Sequence, residues 1–240
     1  MDSWFERGHV AVVTGGSRGL GKALARELLA RGVRTIIDGR DPAVLAAAAY
    51  ELGTFGEVVA VPGDVSDAAH RRALVGAALK LGRLDLLVNN ASTLGAVPLP
   101  RVESLAPDVL QRLFEVNVFA PILLAGEALP VMRQSSELAT IVNITSDAGV
   151  EAYSTWGGYG STKAALEHVS RVLAAELEGT PIRVLVADPG DMNTDMHRDA
   201  IPDADPSELA DPADSARALL VAIARMRVPY ERIRVADVSG

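Results

Sequence analysis

The sequence predicts an α/β domain built on one doubly wound, parallel sheet of about seven strands with helices on both faces. Three observations predict it. Short apolar, β-branched runs alternate with longer amphipathic stretches, the first run empties into a glycine-rich turn that opens a helix, and no low-complexity linker or repeat divides the 240 residues. Strands covered on both faces read as continuous apolar runs, and parallel neighbours need helical crossovers of this length. The whole chain, 1–240, is expected to form one domain.

The elements follow in order. His9-Val10-Ala11-Val12-Val13 is the first strand, and Leu20 to Arg31 the first helix. Further strands are expected at Thr35–Ile37, Val58–Val61, Leu84–Asn89, Thr140–Ile144 and Ile182–Ala187, with a weaker one near Arg232–Val235. Helices fill the intervals. The polar, proline-bearing stretch Asp195 to Pro212 has little to bury and reads as a mobile surface excursion. At its end, Asp211-Pro212 combines an N-cap with proline at the first helical position, opening a helix to Arg225.

Composition narrows the function classes. Apolar residues at 49% and charged residues at 22% fit a globular protein, and no apolar run reaches the ~18 residues of a spanning helix. Met1 to Arg7 carries no basic segment before an apolar run, so no secretory signal is expected and a cytoplasmic location is the default. The absence of cysteine excludes disulfides, thiolate catalysis and cysteine-bound zinc. His9, His70, His168 and His197 are scattered, which argues against a metal centre. A net charge of -8 disfavours nucleic acid as a partner, although single arginines can still hold a phosphate.

The glycine-rich turn is Thr14-Gly15-Gly16-Ser17-Arg18-Gly19-Leu20-Gly21. Glycines let the backbone turn tightly and approach a pyrophosphate, whose charge faces the free N–H groups of the helix N-terminus. This assigns Gly15, Ser17, Arg18, Gly19, Leu20 and Gly21 to a dinucleotide. At the end of the second strand, Ile37-Asp38-Gly39-Arg40 puts Gly39 where a carboxylate would hold a ribose 2′-hydroxyl. Arg40 and Arg18 flank it and can clamp a 2′-phosphate, so NADP(H) is favoured over NAD(H). Asp38 is one residue from the NAD pattern and would compete after a small shift of register. Asp64-Val65 follows the third strand where an adenine would rest, and the same residues can instead cap a helix. Asn90 and Ala91, in Asn89-Asn90-Ala91-Ser92, lie at the carboxyl edge of the sheet, as cofactor contacts or as an Asx turn.

Three side chains suggest chemistry at that edge. Tyr159 and Lys163 are four apart on a predicted helix and share one face. An ammonium beside the phenol, together with an oxidised nicotinamide, would favour phenolate. Ser146 follows the fifth strand and can hydrogen-bond a substrate oxygen as charge develops. No Gly-x-Ser-x-Gly elbow surrounds it, so a hydrolase fits poorly. Asn117 stands four residues before Pro121, which has no N–H for its carbonyl; that carbonyl can bind a water leading towards Lys163, or Asn117 is a satisfied polar residue at a kink. Pro189, Gly190, Met192 and Thr194 follow the sixth strand and can seat a nicotinamide carboxamide.

In this order and at these spacings the motifs resemble the short-chain dehydrogenase/reductase family, from about His9 to Val235. The resemblance implies a single Rossmann-type domain with a substrate loop over about 191–210. It implies Tyr159 as acid/base, Lys163 also binding the nicotinamide ribose, Ser146 orienting substrate and Asn117 holding a relay water. It further implies a small carbonyl or alcohol substrate, no membrane partner, and a homodimer or homotetramer packed through the helices carrying Asn117 and Tyr159. Ser92 departs from the family's usual glycine, and Asp188 from its usual asparagine. A dinucleotide sensor without turnover is the alternative reading.

Overall fold

The computed structural model describes residues 5, 8–135 and 138–238. The N-terminal segment on which the signal expectation rests lies largely outside the described residues. Seven strands form one parallel sheet: β1 (Val10–Val13), β2 (Arg34–Gly39), β3 (Val58–Pro62), β4 (Leu86–Asn89), β5 (Ala139–Ile144), β6 (Ile182–Asp188) and β7 (Tyr230–Arg234). Their spatial order is β3-β2-β1-β4-β5-β6-β7. The chain builds outward from β1 on one side, crosses back, and builds outward again from β4. β1 and β4 therefore flank the switch point, with Val13 level with Val88, and there the carboxyl ends of the strands open a crevice.

The helices are α1 (Gly19–Ala30), α2 (Pro42–Leu52), α3 (Ala68–Lys80), α4 (Pro107–Phe114), α5 (Ala120–Ser135), α6 (Gly157–Glu176), α7 (Asp195–Ala200) and α8 (Pro212–Arg225). Alternation along β1 divides the core. Val10 and Val12 pack with Leu74, Leu87, Leu124 and Met132 beneath α3 and α5, while Ala11 and Val13 pack with Leu24, Leu28, Leu219 and Ile223 beneath α1 and α8. Each fully buried leucine contributes about 1.5–3 kcal/mol. Burial on both faces is why these strands carry no polar alternation.

Aspartates start three of the helices. The side chains of Asp41, Asp67 and Asp211 accept from the N–H two residues on, and proline follows Asp41 and Asp211. Each cap stabilises its helix by about 1 kcal/mol. The cap of α3 is thus Asp67 rather than Asp64. The stretch after Asp195 is more ordered than its polarity suggests, because Thr194 caps the short α7 and a 3-10 turn spans Pro206–Glu208. The last strand begins two residues earlier than expected, and Val235 turns inward into the core.

Between α4 and α5 runs a five-residue π-helical segment, Glu115–Phe119. Pro121 cannot donate to the carbonyl of Asn117, and the N–H of Ala120 reaches back five residues to Glu115. By length and composition the continuous run Pro107–Gln134 is apolar enough to cross a membrane, unlike the expectation from uninterrupted apolar residues. Half of its most apolar window is buried inside the molecule, so much of that hydrophobicity serves the core.

Candidate active site

The glycine turn is tied to the neighbouring strand before any ligand is considered. Thr14 Oγ1 accepts from the N–H groups of Asn90 and Ala91 at 3.0 Å, and Asn90 Nδ2 donates to the Thr14 carbonyl at 2.8 Å. A Cβ at Gly21 would fall 2.3 Å from the Gly15 carbonyl, so only glycine lets α1 start this close to the turn. α1 has no side-chain cap at Arg18, which leaves its first N–H groups open to an anion. Leu20 sends its side chain into the core and has only backbone to offer. Narrow turn, open helix end and missing Cβ atoms fit a dinucleotide pyrophosphate.

The corner expected to hold a ribose 2′ group is that of Gly39, with Arg18 and Arg40. A Cβ on Gly39 would meet Ser17 Oγ at 3.0 Å. Both arginines are exposed, and Arg18 makes a long surface pair with Asp195 at 3.4 Å. Asp38 does not reach this corner. Its Oδ1 accepts from the Gly15 N–H at 2.6 Å and its Oδ2 bonds His70 Nε2 at 2.9 Å.

Asp64 Oδ1 accepts from the N–H and hydroxyl of Ser66, and its other oxygen pairs with Arg112. Burial pushes this carboxyl up, but the Ser66 hydrogen bonds and the Arg112 guanidinium outweigh it and hold it below the ordinary value. Val65 is buried against Ala91, Val116 and Ala120. Across the crevice, Gly190 turns with φ +74°, Met192 bridges to Ala210, and Thr194 approaches within 3.4 Å of where a Gly19 Cβ would lie. The 190s loop therefore faces the glycine turn.

Tyr159 and Lys163 share one face of α6. Lys163 Nζ lies 5.2 Å from the Tyr159 ring centroid and donates to the Ile144 carbonyl at 2.9 Å. Trp156 packs edge-on against the phenol ring at 5.7 Å. Burial pushes the phenol well above its ordinary value, a hydrogen bond with Ser92 pulls it down in part, and the charges of Asp188 and Asp147 raise it further. Burial is the largest of these influences and favours the neutral phenol, whereas the phenolate was expected with both the ammonium and an oxidised nicotinamide beside it. Burial also pushes Lys163 down to about 8, against the opposing pull of Asp188 and Glu167.

Asn117 is almost wholly inaccessible, and its amide is fully used. Oδ1 accepts from Ser92 Oγ at 3.1 Å and Thr93 N at 2.9 Å, while Nδ2 donates to the Thr93 carbonyl and Thr162 Oγ1. It clamps the loop after β4 to α6. Ser146 Oγ donates to Asp147 Oδ1 at 2.9 Å and accepts from the Ala148 N–H at 3.2 Å; Tyr153 donates to the other oxygen of Asp147. Sequence reasoning assigned no role to Ser92, Asp147 or His70. Ser92 had one signal, its place where a resembling family carries glycine. Ala148, Tyr153 and Trp156 wall a groove of about 620 Å³ with Val102. Neither Ser146 nor Tyr159 lines that groove, although Ala148, Trp156 and Gly160 near them in the chain do.

The described geometry has close counterparts among known proteins. A family model for short chain dehydrogenase matches residues 9–205. The rhamnolipids biosynthesis 3-oxoacyl-[acyl-carrier-protein] reductase of Pseudomonas aeruginosa is 39% identical over 196 residues, covering 80% of this chain and 75% of the relative. The benzil reductase ((S)-benzoin forming) of Saccharomyces cerevisiae is 34% identical over 197 residues, covering 80% of this chain and 74% of its own. Among solved structures, the Pseudomonas aeruginosa RhlG/NADP active-site complex superposes with a TM-score of 0.85 at 33% identity, covering 98% of this chain and 97% of that one.

Proposed function

We propose that this chain, which belongs to the short-chain dehydrogenase family, is an NADP(H)-dependent oxidoreductase that reduces a small carbonyl compound, with Tyr159 giving the proton. The observation that carries the reading is the buried Tyr159–Lys163 pair on one face of α6, with Lys163 Nζ on the carbonyl of Ile144 at the carboxyl end of β5, two residues before Ser146. Bound in the crevice, the reduced nicotinamide would supply hydride. Everything else falls to side chains of this chain.

A phenol held above its ordinary value stays protonated, which suits a general acid that protonates the oxygen of a reduced carbonyl. Ser146 must turn its hydrogen from Asp147 towards the substrate oxygen to stabilise the developing charge. Lys163, with one of its three protons on the Ile144 carbonyl, keeps others for the nicotinamide ribose. Asn117 spends its amide on structure, so a relay water would sit on its main-chain carbonyl, facing Pro121's missing N–H.

The cofactor assignment rests on charge. Arg18 and Arg40 flank a corner whose central residue is Gly39, and Asp38 faces inward, so a 2′-phosphate would meet two cations there and would compete with Asp195 for Arg18. Both relatives named above are reductases by name, and the solved neighbour is an NADP complex. Exposed Phe119, the last residue of the π segment, and Leu123 on α5, with Val172 on α6, support packing of two or four copies through these helices.

Purified protein is expected to oxidise NADPH with members of a panel of ketones and aldehydes, and Tyr159→Phe to lower turnover by about 10²–10⁴-fold while NADPH binding persists. Undiminished turnover in that variant removes the mechanism. Tight NADPH binding with no turnover across the panel makes the chain a dinucleotide sensor instead.

A further inference from the structure

The Asp38–His70 pair lies behind the glycine turn, and none of the roles proposed above uses it. Asp38 is the penultimate residue of β2, and its main chain already accepts from the Gly16 N–H at 3.0 Å. Its carboxylate, with the side chain only 2% exposed, takes the Gly15 N–H on one oxygen and His70 Nε2 on the other. His70 reaches it from the first turn of α3 through a slot that Gly63 leaves open. A Cβ at residue 63 would fall 2.2 Å from His70 Nδ1. The same Gly63 donates to the Gly39 carbonyl at 3.0 Å, so the alignment of β3 with the end of β2 creates the slot.

We propose that His70 is a specificity-determining residue for the cofactor, because it holds the Asp38 carboxylate inward and keeps a negative charge out of the 2′ corner. The inference rests on the NADP(H) reading above. Without the imidazole, one carboxylate oxygen is left buried with no partner, a state that drives a charged group towards water. Gly39 is the adjacent residue and has no side chain to block the corner beside Ser17. A carboxylate there accepts from a ribose 2′-hydroxyl and repels a 2′-phosphate. The neighbouring charges do not take over the role of His70. Arg112 is engaged with Asp64, and Arg71 donates to the carbonyls of Val65 and Ser66.

The test measures dissociation constants for NADPH and NADH on the wild type, His70→Leu, Asp38→Asn and the double variant, by calorimetric titration of the purified full chain. His70→Leu is expected to lower the NADPH-over-NADH preference by roughly tenfold, the scale of one charged contact. Asp38→Asn keeps the preference, and the double variant regains it, because an asparagine has no charge to turn outward. Should His70→Leu fail to fold, His70→Asn, too short to reach Asp38, takes its place. Equal weakening of both cofactors, or a double variant that does not regain the ratio, overturns the proposal. A wild type that prefers NADH overturns the underlying reading, and shows it before any substitution is made.

Discussion

A buried tyrosine beside a buried lysine has two titrations, and the two lie far apart. Lys163 is pushed down to about 8 by burial, whereas Tyr159 is pushed up out of the same range. As pH rises through about 8 the ammonium is lost while the phenol keeps its proton, so kcat/KM for NADPH in the reduction direction is expected to fall above that pH. In Lys163→Arg, whose guanidinium stays charged, the fall should move beyond about pH 10. A wild-type profile flat to pH 10 would remove Lys163 from cofactor binding. The same shift has a stability consequence of opposite sense. Between about 8 and the ordinary lysine value the unfolded chain binds more protons, so this residue's contribution to stability improves as pH rises through that window. The pairing of Tyr159 with Lys163 was legible because four residues make one turn. The hydrogen bond from Ser146 to Asp147, and the link from Ser92 to Asn117, were not, because they depend on rotamers and on loops meeting across the sheet edge.

At the scale of elements, the meeting of α1 with the glycine turn is the most constrained contact in the crevice. Gly21→Ala sets a methyl 2.3 Å from a backbone carbonyl, which cannot yield as a flexible side chain does. Overpacking of this kind costs about 1–3 kcal/mol. Thermal unfolding should fall by roughly 2–10 °C, with weaker NADPH binding in a titration; an unchanged midpoint would mean that α1 can shift freely. The central strands were legible because burial on both faces leaves an unbroken apolar run. β7 was harder, since Tyr-Glu-Arg-Ile-Arg is a half-buried edge whose register is carried by partners elsewhere. One is the Arg232–Glu167 bond at 2.9 Å, 65 residues apart in sequence. α7 is short and polar, and its legible sign was Thr194, the residue that caps it.

At the scale of the whole molecule, the single parallel sheet was legible from the alternation of strand and helix runs. Pairings across it, such as Asp38 with His70 or Asp64 with Arg112, were not, because only the folded sheet brings those positions together. Oligomeric contacts are tested at this scale too. If copies pack through the α5 and α6 faces, Leu123→Glu places a charge in that interface and should give monomers by light scattering, with the circular dichroism of the fold kept. An assembly of unchanged mass would exclude this face.

The return of the chain from β3 at one edge to β4 beside β1 has a further consequence for how the molecule is made. The glycine turn and its fastening strand come from the first ninety or so residues, whereas Tyr159, Lys163 and the 190s loop come only from residue 159 onward. A polypeptide leaving the ribosome would thus carry the pyrophosphate-facing part of its nucleotide site well before it acquires a proton donor. Recognition would be the early event of its synthesis, and reactivity the late one.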